Sequence, residues 1–193
     1  MKRFFTLVII FFFASAVFAF VLAKTDYNEN DVELTYFRRA LENQKDYSYL
    51  IVSSKQSSAS SRINMMNYNS EIANLAKQIT SGSKDDYEKV YKIYRFVYEL
   101  PYRETTYLQS AMETISYGGD CADKSLLFSL MLDSIGINSY VAESEPINFT
   151  THSFNLVYIN GKWNAIDILN FFENPLENYN IKLFYNNKEM RVL

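Results

Sequence analysis

The segment THSFNLVYINGKWNAIDIL, residues 151–169, constrains the fold more than any other stretch of this chain. Asn160-Gly161 stands between two runs of alternating apolar residues, and this dipeptide at such a place is typical of a two-residue β-hairpin turn. Counting outward from that turn, Phe154 faces Asp167 on the opposite strand. His152 and Asp167 then share a face as diagonal neighbours, roughly 5–8 Å apart at Cβ. Another loop length would reverse this parity, so the prediction depends on the turn.

The single cysteine, Cys121, stands at the start of a helical pattern in YGGDCADKSLLFSLMLDSIG, residues 117–136. Asp120 is a good N-cap, and Asp123, three residues later, completes a pattern similar to a capping box. Gly136 is the expected C-terminal cap. The apolar positions form a wide face, which predicts a central helix; they are Leu126, Leu127, Leu130, Met131 and Ile135.

Two further helical patterns precede this segment. One begins with Ser70 as its N-cap, and the other ends before Pro101, which cannot continue a helix. Residues 137–143 predict a short strand, and 170–193 a short closing strand region. Helices followed by an antiparallel sheet make an α+β domain, with the helix of Cys121 packed on the sheet.

The N-terminus has the pattern of an exported protein. Lys2 and Arg3 precede an unbroken apolar run, Phe4 to Ala23, which is typical of a secretory signal. The run is also long enough to span a bilayer. We therefore expect residues 1–23 to be a signal peptide or a membrane anchor, and the domain to be extracytoplasmic, either secreted or held at the membrane by one helix.

A serine-rich stretch, SSKQSSASSR at residues 53–62, predicts a linker. It divides the remainder into a stalk or accessory segment, 24–64, and a globular domain, 65–193. The net charge of −3 provides no basic footprint for nucleic acid. One cysteine cannot form a disulfide within the chain, and an unpaired thiol in an oxidising compartment is a group to examine.

Cys121, His152 and Asp167 together have the composition of a nucleophilic site. A thiol nucleophile needs a base to accept its proton, and the base needs a third group to orient it. The positive end of a helix dipole favours a thiolate, whereas Asp120 and Asp123 oppose it, so a partner cation would decide the balance. Taken singly, each residue also has a plain structural interpretation: a buried small side chain, a satisfied strand histidine and a strand-terminal aspartate.

Both segments resemble those of the transglutaminase-like superfamily, over roughly residues 65–170. Gly119-Asp120-Cys121-Ala122-Asp123-Lys124 is similar to the family's cysteine motif, and residues 151–167 to its histidine and aspartate segments. The resemblance implies a papain-like α+β fold, a catalytic triad and acyl transfer from an amide through a thioester, with neither cofactor nor metal ion. The triad would be Cys121, His152 and Asp167.

The resemblance also implies an oxyanion hole. The backbone N–H of Cys121 would supply one donor, since helix N-termini are suited to binding negative charge. The second donor stays open among Tyr102, Tyr107 and Gln109.

Three functions are compatible with this pattern. The first is a cysteine peptidase or amidase, in which water resolves the thioester of a protein or peptide substrate. The second is a transglutaminase that crosslinks proteins through a lysine amine. The third is a membrane-tethered binding module without turnover, against which an intact triad argues. We favour hydrolysis, because small single-domain members of the family resemble proteases more than crosslinking enzymes.

Overall fold

A computed structural model of the chain describes residues 27–57, 66, 69–145, 151–170 and 173–193. The chain divides into two compact units, residues 1–38 and 39–193. The first helix, α1 (Tyr27–Asn43), has residues in both. The apolar run predicted to be a signal peptide or anchor lies outside the described residues. Within the described ranges, no helix has the length and apolar character needed to cross a membrane.

The second unit combines helices with one sheet. Its described helices, after α1, are α2 (Ser48–Ser53), α3 (Ser70–Ile79), α4 (Asp86–Glu99), α5 (Ala111–Tyr117), α6 (Cys121–Ser134) and α7 (Pro175–Asn178). Its strands are β1 (Lys55–Ser57), β2 (Ser139–Ser144), β3 (Ser153–Ile159), β4 (Lys162–Ile166), β5 (Ile181–Tyr185) and β6 (Met190–Val192). The sheet order is β1-β6-β5-β2-β3-β4, and every neighbouring pair is antiparallel. The α+β prediction is confirmed.

The β3–β4 hairpin has the predicted register. Asn160 and Gly161 both adopt positive φ, 49° and 86°, as a tight two-residue turn requires. Ile159 pairs with Lys162, and Asn155 pairs with Ile166 at the far end of the ladder. The turn therefore fixes which residues of the two strands share a face.

Helix α6 is the centre of the unit. Asp120 caps it, as predicted: its carboxylate accepts hydrogen bonds from the backbone N–H groups of Ala122 and Asp123, and the Asp123 side chain completes a capping box. Every residue from Asp123 to Leu132 is buried. The helix packs against α3, α4 and α5 and, on its other side, against β2 and β3. Gly136 follows the end of the helix with φ 83°.

The two preceding helices also match their predicted positions. Helix α4 ends at Glu99, before Pro101. The N-cap of α3, however, is Asn69 rather than Ser70. The Asn69 carboxamide oxygen accepts from the N–H groups of Glu71 and Ile72 at 2.8 and 3.3 Å, and asparagine caps as well as serine does.

Residues 39–57 belong to the second unit, although we expected 24–64 to be a stalk or accessory segment ahead of the domain. The Gln44 carboxamide forms hydrogen bonds with both the N–H and the C=O of Ala165, each at 2.9 Å. Tyr47 and Leu50 are buried in a hydrophobic cluster with sheet residues such as Leu156 and Phe184. Strand β1 also pairs with β6. The second compact unit begins at Arg39.

Candidate active site

Cys121 is the first residue of α6, and a pair of glycines sets the backbone that leads into it. Gly118 has φ 77°, and a Cβ on it would lie 2.1 Å from the carbonyl oxygen of Pro101. The Gly119 N–H donates to that same oxygen at 3.1 Å, while the Arg103 N–H donates to the Gly119 carbonyl at 3.2 Å. The chain around Pro101 is therefore docked directly beside the half-buried thiol.

His152 and Asp167 form a direct hydrogen bond, as the hairpin register predicts. Nε2 of His152 lies 2.6 Å from Oδ2 of Asp167. The two side chains are only 16% and 8% exposed, so water screens the contact weakly. The other carboxylate oxygen of Asp167 accepts from the Leu169 N–H at 2.8 Å.

The backbone of His152 is fixed by Ser144, at the end of β2. The Ser144 N–H donates to the His152 carbonyl, and the His152 N–H donates to the Ser144 hydroxyl, both at 2.9 Å. Ser144 is itself buried. The histidine is thus anchored at its backbone and at one ring nitrogen before any substrate is present.

The imidazole of His152 also lies close enough to the thiol of Cys121 for the two groups to interact. Because Nε2 is engaged by Asp167, Nδ1 is the ring nitrogen available to the thiol. Burial acts to lower the pKa of His152, but the hydrogen bonds and negative charges of Asp167 and Cys121 outweigh it and raise that pKa to about 9. The three residues singled out in the sequence therefore meet at one place, with the imidazole in the middle and protonated at neutral pH.

Asp123 has a structural task that sequence reasoning missed. It is fully buried, and its carboxylate accepts from the backbone N–H and side-chain amide of Gln109 at 2.7 and 2.8 Å. It also accepts from the Thr105 hydroxyl at 3.0 Å and from the Asp120 N–H at 3.3 Å. The capping-box spacing revealed only the last of these contacts. Asp123 thereby ties the loop before α5 to the start of α6.

Lys124 ties a second part of that loop to the same helix. Its side chain is 2% exposed, and Nζ donates to the carbonyls of Tyr98 and Leu100 at 3.1 and 2.6 Å. These are carbonyls at the C-terminal end of α4, where a cation is favoured. Burial lowers the pKa of Lys124. The two residues after Ala122 thus hold the segment from Tyr98 to Gln109 against α6.

The candidates for a second oxyanion donor differ in what they contact. Both hydrogens of the Gln109 side-chain amide are used, since Nε2 donates to the Gly118 carbonyl and to the Asp123 carboxylate. The Gln109 side chain is therefore excluded as the second oxyanion donor. Tyr107 is exposed. The Tyr102 backbone forms a bridge with Gly119. Burial and then the negative charges of Cys121, Asp120 and Glu104 raise the pKa of Tyr102, so its phenol stays protonated beside the thiol.

Residues 73–168 match the family model of the transglutaminase-like superfamily. The match includes α6, the β3–β4 hairpin and all three residues of the Cys121–His152–Asp167 cluster. The chain therefore belongs to the transglutaminase-like superfamily. Among curated proteins, no sequence matches this chain.

Two solved structures share the fold. One is a candidate cysteine protease from Cytophaga hutchinsonii, at 20% identity and a TM-score of 0.51 over 64% of this chain. This chain spans 46% of that protein's length. The other is Legionella pneumophila LapG in a calcium-bound form, at 14% identity and a TM-score of 0.51, which covers 82% of this chain and 87% of LapG. At these identities the likeness is one of fold, of the transglutaminase-like cysteine peptidase type.

Proposed function

We propose that this protein is a thiol acyl-transfer enzyme that hydrolyses amide bonds of proteins or peptides, as a cysteine peptidase or amidase. One observation carries the proposal: a single imidazole is hydrogen-bonded to a buried carboxylate and lies close enough to the thiol at the N-terminus of α6 to interact with it. The Gly-Asp-Cys-x-Asp-Lys segment supports it, since its two acidic residues and its lysine build the backbone around the thiol.

In the first half of the reaction, the Cys121 sulfur attacks the carbonyl carbon of the amide. His152 is already the imidazolium, so the sulfur attacks without its proton, and the carbonyl π electrons move to oxygen to give a tetrahedral oxyanion. When this collapses, the C–N bond breaks and His152 delivers its proton to the departing nitrogen. The products are a free amine and a thioester on Cys121. Asp167 orients the ring and stabilises its positive charge throughout.

In the second half, water takes the place of the amine. His152 accepts a proton from water as the water oxygen attacks the thioester carbonyl. The new tetrahedral intermediate expels the sulfur, His152 keeps the proton that it took from water, and a carboxylic acid leaves. A lysine amine in place of water would give a crosslink instead, by the same steps.

The Cys121 N–H is a suitable oxyanion donor. The side-chain cap of α6 uses the N–H groups of Ala122 and Asp123 and not that of Cys121. The Cys121 N–H therefore lies outside that cap, at the positive end of the helix dipole, where negative charge is favoured. Removing one such donor in other enzymes costs roughly 10²–10³ in kcat.

The proposed location is extracytoplasmic, with protein or peptide substrates met outside the cytoplasm. The support is the basic start of the chain, Lys2 and Arg3, followed by the apolar run up to Ala23. A reporter fused after residue 193 would be active only in the compartment to which the C-terminus is delivered. Activity of a periplasm-specific reporter supports export, and activity of a cytoplasm-specific reporter alone contradicts it.

The thiol provides the test of the enzyme proposal, because Cys121 is the sole cysteine and every label reports on it. The rate of iodoacetamide labelling is measured against pH for the full chain and for His152→Ala. Fast labelling at neutral pH that is lost in His152→Ala supports an activated nucleophile. Slow labelling that is the same in both proteins contradicts it and favours a binding module.

A second assay separates the two acyl acceptors. The protein is incubated with casein and a fluorescent primary amine, with Cys121→Ala as the control. New amino termini without fluorescent protein support the hydrolase. Fluorescence incorporated into casein, absent in the control, would replace hydrolysis by crosslinking.

A further inference from the structure

The imidazole of His152 packs near two aromatic rings, in addition to its interactions with Cys121 and Asp167. The ring centroid of Phe154 is 6.2 Å away, with the planes 28° apart. The ring centroid of Tyr179 is closer, at 4.7 Å, with the planes 34° apart. Phe154 is completely buried in the core, whereas Tyr179 is partly buried and packs against the edge of the same hydrophobic cluster. Tyr179 is thus the nearer of the two rings, and it comes from the margin of the core rather than from its interior.

Tyr179 comes from a part of the chain outside the matched family segment, which ends at residue 168. Its N–H donates to the Pro175 carbonyl at 2.8 Å, which closes the short helix α7. The next residue, Asn180, accepts from the Glu145 N–H at 2.8 Å. Ile181 then pairs with Ser144, the residue that anchors the backbone of His152. Tyr179 and His152 are therefore both fixed to the same end of β2.

We propose that Tyr179 is a positioning residue that acts through His152: its ring holds the imidazole plane, shields the His152–Asp167 hydrogen bond from water and stabilises the imidazolium. Its part in catalysis rests on the proposed function, in which His152 is the base. Its effect on the state of the histidine does not.

Two physical effects support this role. A cation within about 6 Å of an aromatic centroid is attracted to the negative face of the ring, and the Tyr179 centroid satisfies that distance. A cover over the ring also keeps water from competing for the Asp167 oxygen, which strengthens the charge-assisted hydrogen bond. Among the described residues, the titratable groups that face His152 are the Asp167 carboxylate at the end of β4, the Cys121 thiol of α6 and the Tyr179 phenol.

The chain contains one histidine, which makes the experiment direct. The full chain, labelled at the histidine ring carbons, is titrated by NMR as wild type, Tyr179→Phe and Tyr179→Leu. Leucine keeps much of the apolar bulk and removes the π face; phenylalanine keeps the face and removes the hydroxyl. Tyr158→Leu, an exposed tyrosine of β3 that contacts Trp163, is the matched control.

We expect Tyr179→Leu to lower the titration midpoint of His152 by about half a pH unit or more. It should also speed the exchange of the Nε2 proton with water. Tyr179→Phe and Tyr158→Leu should leave both unchanged. An unchanged midpoint in Tyr179→Leu, or a phenylalanine variant that behaves like the leucine variant, overturns the proposal. If Tyr179→Leu does not fold, Tyr179→Met repeats the test with a flexible apolar side chain.

Kinetics separate this inference from the proposed function. With a casein or peptide substrate, Tyr179→Leu should lower kcat about tenfold with little change in KM. Tyr179→Phe should keep the kcat of the wild type. If the wild type has no turnover but the NMR midpoint still falls in Tyr179→Leu, the proposed function fails and the positioning of His152 stands. If the wild type turns over substrate but the midpoint does not move in Tyr179→Leu, the positioning role of Tyr179 fails and the proposed function stands.

Discussion

Nε2 of His152 and Oδ2 of Asp167 lie 2.6 Å apart, although fourteen residues separate them along the chain. The separation is bridged by the Asn160-Gly161 turn, whose positive φ angles give β3 and β4 their register. A two-residue turn thus determines which acid meets the histidine. In the neutral ring or the imidazolium, the Nε2–H can donate to this carboxylate, which leaves Nδ1 for the thiol.

Removing the Asp167 carboxylate should cost more activity than neutralising it. Asp167→Ala leaves the buried Nε2–H without an acceptor and lets the ring rotate, so we expect kcat to fall by roughly 10²–10⁴. Asp167→Asn keeps an oxygen that can accept the same hydrogen bond, and Cys-His-Asn sites are known to work. We expect a smaller loss for it, measured as kcat on a peptide substrate. Equal losses in the two variants would contradict an orienting role for Asp167.

The raised pKa of His152 predicts the alkaline limb of the activity profile. The imidazolium that must protonate the leaving amine is lost as pH rises through about 9. We therefore expect kcat/KM to decline with a midpoint near that value. A decline centred near 6.5, the ordinary histidine value, would show that Asp167 and Cys121 do not hold the proton in place.

The same shift predicts a pH dependence of stability. Because the folded-state pKa of about 9 lies above the unfolded value of 6.5, protonated His152 stabilises the fold fully below about pH 6.5, and this contribution is lost as pH rises through about 9. Urea midpoints measured from pH 6 to 9.5 should therefore fall more steeply for wild type than for His152→Gln. Parallel curves would contradict the shift.

Asp123 should be essential for folding rather than for the chemical step alone. Asp123→Ala removes an acceptor shared by Gln109, Thr105 and the Asp120 N–H, and leaves buried donors unpaired. We expect a loss of about 3 kcal/mol in the free energy of unfolding, measured with urea. Asp86→Ala removes only a partly exposed ion pair with Lys89 and should cost under about 1 kcal/mol. A loss under about 1 kcal/mol for Asp123→Ala as well would show that the hydrogen bonds to the Asp123 carboxylate contribute little to stability.

Gly118 and Gly82 form a matched pair, because both have positive φ, 77° and 72°. Gly82→Ala meets no atom within 4 Å, so it should cost only the backbone strain, about 1–2 kcal/mol. A Cβ at Gly118 would overlap the Pro101 carbonyl at 2.1 Å, which forces the loop away from Cys121. We expect Gly118→Ala to destabilise the protein more and to reduce labelling of the thiol, whereas Gly82→Ala leaves labelling unchanged. Identical behaviour would show that the loop tolerates displacement.

The local parts of the site could be predicted because each follows a short-range rule. The turn dipeptide fixed the diagonal neighbours, and the spacing of Asp120 and Asp123 gave the cap. The partners of Asp123 and Lys124 could not be predicted, since Gln109 and Leu100 have no periodic relationship to them. Such contacts depend on how loops fold back in three dimensions.

The strand order outside the β3–β4 hairpin could not be predicted from the sequence for a related reason. Strand β1 lies in a serine-rich stretch, and it pairs through main-chain groups that any side chain leaves available. Composition predicted a linker there. Similarly, nothing in the order of the chain indicates that β5 lies between β6 and β2. Tyr179, just before β5, reaches His152 only because of that insertion.

The pairing of β1 with β6 has a consequence for the order of folding. Lys55 pairs with Val192, so this edge of the sheet joins the two described strands that are furthest apart in sequence. Contacts over long separations bear the largest loop-closure entropy and form late. The β3–β4 hairpin is local and needs no such closure. We therefore expect a nascent chain to bring His152 and Asp167 together early, and to remain open along the β1–β6 seam until its final strands have been synthesised.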